Sequence, residues 1–387
     1  MRDAWRLDDS THFLNHGSFG ATPRVVLERQ RELRDQLEAE PVRFMVRELE
    51  PLLDAARNRL ADFVVARAAD LAFVTNATTG VNAVLRSLDF QPGDELLTTN
   101  HGYNACTNVL RFVAERTGVK VVIAPVPFPA SSAEVLAHAV LAGVTGRTRL
   151  VLLDQITSPT ALVFPIARLV RELEGRGIPV LVDAAHAPGQ VALALDETGA
   201  SFTTGNLHKW VCAPKGAAFL HVRADWQARI RPAVISHGAN STRKDRSRFQ
   251  LEFDWVGTQD PTAALCVPAA IDFMGSLVAG GWPALMALNQ ADAIAARSRL
   301  LEVVGGPPPC PPELLGAMAS VVVPDAPADL GERLFRDFHI EVPVIPFEGQ
   351  TLVRVSLQRH VRPGDVPALA AALRTFQAGN VVLASAR

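Results

Sequence analysis

Neither sign of charge is in surplus in this sequence: 38 Lys and Arg stand against 40 Asp and Glu, a formal net charge of −2. Binders of nucleic acid or of anionic membranes draw affinity from neutralising phosphates, and this chain lacks the positive excess for that. Aromatic residues are sparse at 6%, with one tyrosine, Tyr103. The four cysteines, Cys106, Cys212, Cys266 and Cys310, are scattered without a C-x-x-C pair. They read as buried reduced thiols of a cytoplasmic protein, with no metal site. The first ten residues carry Asp3, Asp8 and Asp9 and no apolar core, so a signal peptide is not expected. The longest uncharged stretch, residues 273–291, contains Gly275, Gly280, Gly281 and Pro283, which predict two short helices rather than a membrane span. No internal repeat or low-complexity tract occurs. The motifs G-x-G-x-x-G, G-x-x-x-x-G-K-[ST] and G-x-S-x-G are all missing, which withdraws the usual support for nicotinamide, nucleoside triphosphate and serine-hydrolase readings.

What is present is apolar mass. With 387 residues, 48% of them hydrophobic, the chain can bury a large core in two or three packed units without disulfide or metal, and it is too apolar to be disordered. Between residues 71 and 221, short apolar runs alternate with helical spacing. The expected strands are 71–75, 95–98, 120–124, 149–153, 178–182 and 216–221, and the expected helices between them are 80–90, 104–117, 132–142 and 166–175. Continuous apolar strands separated by helices predict an α/β fold with a mainly parallel sheet covered on both faces. Residues 25–63 and 262–304 read as helical, and 241–248 as a charged loop. Beyond the Pro-rich turn at 307–312, strands near 318–323 and 351–355 and helices near 329–338 and from 366 predict a smaller α+β unit.

Ligands of open parallel sheets sit beyond the carboxyl ends of the strands. At those ends the sequence places Asn76-Ala77-Thr78-Thr79-Gly80, small polar residues opening a helix and suited to a phosphate. The next strand runs into His101-Gly102-Tyr103, where an aromatic could stack on a flat ring. Asp154 to Thr160 is a polar loop. The buried strand 178–182 delivers Asp183, a carboxylate that needs a cationic or hydrogen-bonding partner. Lys209 lies among Leu207, Trp210 and Val211, where partial burial would lower its pKa and favour a nucleophilic amine able to form a Schiff base. Each residue alone has a bland reading as cap, packing residue or solvated lysine. Their convergence describes pyridoxal phosphate, which needs a phosphate cup, an amine-trapping lysine and an acid at its ring nitrogen.

At these positions the chain resembles the class V aminotransferase-like group of fold-type I pyridoxal-phosphate enzymes, and within it the isopenicillin N epimerase-like branch. The resemblance rests on Leu14-Asn15-His16-Gly17-Ser18-Phe19-Gly20, Asp183-Ala184-Ala185-His186, Gly205-Asn206-Leu207-His208-Lys209-Trp210, Gly257-Thr258-Gln259 and Val353-Arg354-Val355-Ser356, in that order along nearly the whole chain. It implies a seven-stranded, mainly parallel sheet in a large domain of residues 21–262, with 1–20 and 263–387 forming a small α+β domain. It also implies roles. Lys209 would bind the cofactor aldehyde, Asp183 would pair with the pyridinium nitrogen, and His186 would hydrogen-bond the ring's phenolic oxygen. Thr78, Thr79 and His208 would hold the phosphate, and Tyr103 would stack on the ring. Thr258 would reach the cofactor of a neighbouring subunit, implying a homodimer with shared sites. Arg354 would clamp the substrate carboxylate, and Asn15 would line the substrate pocket. Two departures stand where substrate is expected: Gln155 replaces a His, and Ser356 to Val361 lacks the branch's aromatic–Asn pair.

The cofactor supports epimerisation, β-elimination and transamination alike. The resemblance ranks amino-acid epimerase or racemase first, carbon–sulfur lyase second and aminotransferase third. A cysteine desulfurase needs a nucleophilic thiol shortly before the substrate arginine, and residues 339–353 contain no cysteine. A non-catalytic scaffold is disfavoured because each expected cofactor contact has a chemically competent residue.

Overall fold

The computed structural model describes residues 1–384, with side chains to residue 377. Its strands are, in chain order, β1 (His12–Phe13), β2 (Leu71–Val74), β3 (Glu95–Thr99), β4 (Lys120–Ala124), β5 (Thr148–Asp154) and β6 (Val180–Asp183). They continue with β7 (Phe202–Asn206), β8 (Ala218–Val222), β9 (Met318–Val322), β10 (Ile340–Glu341), β11 (Val344–Phe347) and β12 (Gln350–Ser356). Seven strands form the main sheet in the order β2-β8-β7-β6-β5-β3-β4, parallel except for β8. β3, β5, β6, β7 and β8 are buried almost throughout, as a sheet covered on both faces requires.

The six strands expected from apolar runs all form, with ends displaced by at most two residues. The seventh, β7, reads Phe-Thr-Thr-Gly-Asn and carries no apolar run, so periodicity does not reveal it. Its place in the centre is made by small residues. Thr204 Oγ1 donates to the Phe219 carbonyl at 2.8 Å, and Gly80 on helix Ala77–Ser87 lies so close that a Cβ there would sit 2.2 Å from Thr204 Oγ1. That close approach seats the helix on the sheet with its N-terminus at the carboxyl edge. Asn76 caps it, its Oδ1 accepting from Thr79 N at 2.9 Å.

The remaining strands form a three-stranded antiparallel sheet, β11-β12-β9, and a two-stranded parallel pair, β1-β10. Helices Gly281–Val304 and Asp365–Ala384 pack against each other, and the former also covers β9. Helix Val267–Ser276 packs on Gly281–Val304 and also on Arg24–Ala39 and Leu49–Val64. The break at Gly280 and Gly281 falls where the sequence places it, both glycines having positive φ. Among the described residues no single helix is long and apolar enough to cross a membrane. The N-terminal segment crosses between the two parts: Leu14 accepts from Ser356 N at 2.9 Å, and residues 15–20 then run beneath the carboxyl ends of the main sheet.

Candidate active site

A cavity of about 710 Å³ opens at the carboxyl edge of the main sheet. One end is built for an anion. The N-terminus of helix Ala77–Ser87 opens there, with Thr78 and Thr79 on the wall; Ala77 and Thr79 N–H are taken by Asn206 and Asn76, which leaves the Thr78 N–H and the threonine side chains for a ligand. Asn206, at the end of β7, anchors the turn by accepting from Ala77 N at 2.8 Å. His208 Nδ1 donates to the Ala217 carbonyl at 3.1 Å, which turns Nε2 toward the cavity. Burial and the nearby Lys209 charge hold its pKa down to about 4; a bound dianion would raise it. Lys215 adds a cation to this end, its Nζ donating to Gly20 O at 3.0 Å.

The floor is polar and dry. β6 delivers Asp183, whose Oδ2 accepts from the Cys106 thiol at 3.1 Å and whose Oδ1 accepts from Ala185 N at 2.9 Å. Lys209 is 9% exposed, and its Nζ lies 3.1 Å from His186 Nε2. Burial, followed by the Arg354 charge, lowers the lysine pKa to about 8. The imidazole of His186 is kept neutral by its own burial and by Lys209. Trp210 Nε1 donates to His186 Nδ1 at 3.5 Å. With Nδ1 accepting, the ring proton sits on Nε2 and points at Lys209 Nζ, an arrangement that suits a free amine rather than an ammonium.

The backbone that carries Lys209 is clamped from below. His16 Nε2 donates to the Lys209 carbonyl at 3.0 Å, and His360 Nε2 bridges to His16 Nδ1 at 2.9 Å. Gly20 packs on the same segment with φ +72, and a Cβ there would stand 2.0 Å from the His208 carbonyl oxygen. Gly20→Ala is therefore expected to cost at least about 1–2 kcal/mol in backbone strain alone, before the clash displaces His208 and Lys209. Thermal melting and cofactor titration of that variant check this; an unaltered midpoint with normal affinity would show that the segment yields freely.

Arg354 lies on β12 behind the cavity wall, 2% exposed. Its Nη1 donates to the backbone and hydroxyl oxygens of Ser158 and its Nη2 to Ser18 Oγ; both serines line the cavity. Among the described residues it has no carboxylate partner, its Nε is unbonded, and burial lowers its pKa to about 10. A buried guanidinium without a counter-ion is costly, and an incoming carboxylate would relieve it through paired hydrogen bonds.

The structure thus gathers Thr78, Thr79, Tyr103, Asp183, His186, His208 and Lys209 around one cavity, with Arg354 behind it. Asn15 lies outside the lining: its amide donates to Glu341 Oε1 at 2.8 Å and accepts from Ser18, so it supports the wall. Thr258 is exposed and away from this chain's own cavity. Gln155 and Gln358 do not line the cavity either, contrary to the expectation that the two departures face substrate. Gln155 uses its backbone to join β6 to the loop, and Gln358 accepts from Asn289. Three cavity residues carry roles that the sequence reading did not assign: Asn206, Lys215 and Asp154. Asp154 ends a buried strand just as Asp183 does, and that signal was available.

The fit to pyridoxal phosphate follows from these observations. The helix N-terminus with Lys215 and the His208 imidazole beside it suits the phosphate, Tyr103 offers an aromatic face, Asp183 supplies a buried carboxylate, and Lys209 supplies an amine of depressed basicity.

Comparison with known proteins agrees. A family model described as aminotransferase class-V matches residues 13–303. The chain is 35% identical to isopenicillin N epimerase of Amycolatopsis lactamdurans, over 96% of this chain and 97% of that one. It is 33% identical to putative L-cysteine desulfhydrase 1 of Oryza sativa subsp. japonica, over 86% of this chain and 72% of that one. Among solved structures, a cystine C–S lyase in complex with its reaction product cysteine persulfide has the same fold, with TM-score 0.80 at 21% identity over 95% of this chain and 98% of that one.

Proposed function

The chain belongs to the class-V aminotransferase family, whose cofactor is pyridoxal 5'-phosphate, and from that premise we propose that it is an amino-acid epimerase or racemase of the isopenicillin N epimerase-like kind. The observation that carries an amino-acid substrate is the buried, counter-ion-free Arg354, set beside a cavity that also holds a lysine of depressed basicity. Relatives described as isopenicillin N epimerase, matched over almost their full length, support epimerisation as the reaction.

Residue roles follow from the geometry. Arg354 and the serines it holds would seat the substrate carboxylate and so orient the α-carbon. Lys209, largely deprotonated above pH 8, would take the α-proton, with the His186 Nε2–H steadying its lone pair. Asp183 would keep a positive charge opposite it, and the helix N-terminus with His208 and Lys215 would hold the phosphate. When bound, the cofactor supplies an electron sink for the charge left at the α-carbon. The walls exclude water from the floor, where Asp183, His186 and Lys209 are all buried.

A carbon–sulfur lyase acting by β-elimination is the second reading. The desulfhydrase relatives favour it, and it requires no protein thiol. A persulfide-forming desulfurase does require one, yet all four cysteines are buried, with their thiol pKa values pushed up by that burial. By the family reading the working unit is a cytoplasmic homodimer in which Thr258 serves the partner's site; cross-linking and sedimentation of the holoenzyme would test this.

Incubation with L- and D-amino acids and cysteine conjugates in deuterated water decides the reaction. Deuterium at the α-carbon with inversion supports the epimerase, whereas pyruvate and ammonia identify the lyase and overturn it. Arg354→Lys is expected to raise KM for α-amino acids by roughly 30-fold or more, because a point charge cannot replace a planar fork at a buried carboxylate. Steady-state kinetics with substrate and with its decarboxylated amine measures this; equal losses for both would dissociate Arg354 from carboxylate binding.

A further inference from the structure

Two carboxylates end neighbouring parallel strands in register, Asp154 on β5 beside Asp183 on β6. Both are buried, 5% and 3% exposed, and both line the cavity. The resemblance gives a role to Asp183 alone. Adjacent carboxylates in a water-poor site do not both ionise readily, and the one with more hydrogen-bond donors keeps the charge. Here the donors are unequal. Asp183 accepts from the Cys106 thiol and from Ala185 N–H. Asp154 accepts from Tyr103 N–H at 3.2 Å through Oδ2, while its Oδ1 is buried with no partner.

We propose that Asp154 stands in this site as a neutral carboxylic acid, a positioning residue that leaves the negative charge on Asp183 and offers the O–H on its Oδ1 as a hydrogen-bond donor to the cavity. The titratable groups that face it are Asp183 from β6, Lys209 from the segment after β7 and Cys106 from helix Asn104–Thr117. Burial and the Asp183 charge push Asp154 well above the usual carboxylate range. Asp183 is raised by burial too, but the Cys106 and Ala185 bonds hold it down. An ionised Asp154 would also draw Lys209 back toward ammonium, since a nearby anion raises a lysine pKa. Neutrality at Asp154 therefore protects both the single charge of Asp183 and the lowered basicity of Lys209. The inference rests on the function proposed above only for the identity of what Asp183 faces.

The test uses the cofactor-free chain, so its failure is distinct from failure of the pyridoxal-phosphate assignment. Infrared difference spectra of 13C-carboxyl-aspartate-labelled protein at neutral pH should contain a protonated-acid carbonyl band. That band should persist in Asp183→Asn and vanish in Asp154→Asn. No such band in the wild-type chain, or a band lost in Asp183→Asn instead, overturns the proposal; persistence in both Asp183→Asn and Asp254→Asn, the latter removing the other aspartate raised by burial, decides the matter even if Asp154→Asn fails to fold. Thermal melting gives a second readout. An acid that binds its proton in the folded chain but not in the unfolded one makes stability fall as pH rises from the unfolded aspartate pKa of about 4 toward the raised folded value. Asp154→Asn should flatten that fall, and an unchanged slope in a folded variant counts against the neutral acid.

Discussion

Lys209→Ala is expected to lower turnover by at least about 10³-fold, since in the proposed function one substitution removes both the amine that would bind the cofactor aldehyde and the group that would move the α-proton. Borohydride treatment of the wild-type holoenzyme should fix the cofactor to a peptide containing Lys209, and the variant should yield no labelled peptide. Lys215, the other cavity lysine, is the built-in control. It is exposed at the phosphate end, with Nζ donating to Gly20 O, so label transferred to it or found there in the wild-type chain would defeat the assignment. The acidity of Lys209 gives the same prediction a pH dependence. Only the free amine attacks an aldehyde, and burial with the Arg354 charge brings the lysine to about 8. Cofactor capture by the cofactor-free chain should therefore quicken as pH rises toward 8 and level off above it. A rise continuing to the ordinary lysine range near pH 10 would mean that the amine is not sheltered.

Asp183→Asn should reduce turnover by roughly 10²–10³-fold while cofactor remains bound, the scale expected when a preorganised charge is removed from a buried site. The amide can keep the bond from Ala185 N–H through its oxygen, so the loop after β6 need not move. It cannot balance a protonated ring nitrogen, so the loss should fall on kcat rather than on cofactor affinity. Single-turnover exchange of the α-proton is the direct measurement. A rate within threefold of wild type would reduce Asp183 to a strand-end anchor.

Much of this site could be read one residue at a time because its elements have strong local signatures. Apolar runs bounded by turn residues announce β3, β4 and β5, and a charged residue at the end of such a run, as at Asp183, has few explanations other than a site. β7 could not be found this way. Phe202–Asn206 is central and fully buried, yet it is made of Thr, Gly and Asn because helix Ala77–Ser87 must approach it closely at Gly80 and because Asn206 must reach the helix N-terminus. Small polar residues satisfied by tertiary hydrogen bonds leave no periodicity. Asn15 fails for a related reason. A polar residue just before a glycine-containing turn can face a ligand or hold a wall, and only its bonds to Glu341 and Ser18 distinguish the two.

The sequence by itself determined the α/β architecture and pointed to the cofactor and to Lys209 and Asp183 as the candidates to hold it, because burial patterns and residue chemistry are local and each strand end names its own group. Tertiary structure decided how those groups act on one another. The depressed lysine, the pairing of buried Asp154 and Asp183 in register, and the buried Arg354 lacking a counter-ion all depend on distances between segments far apart in the chain. Electrostatic coupling in a dry cavity is a property of those distances and of the water excluded between them, and neither is written along the chain.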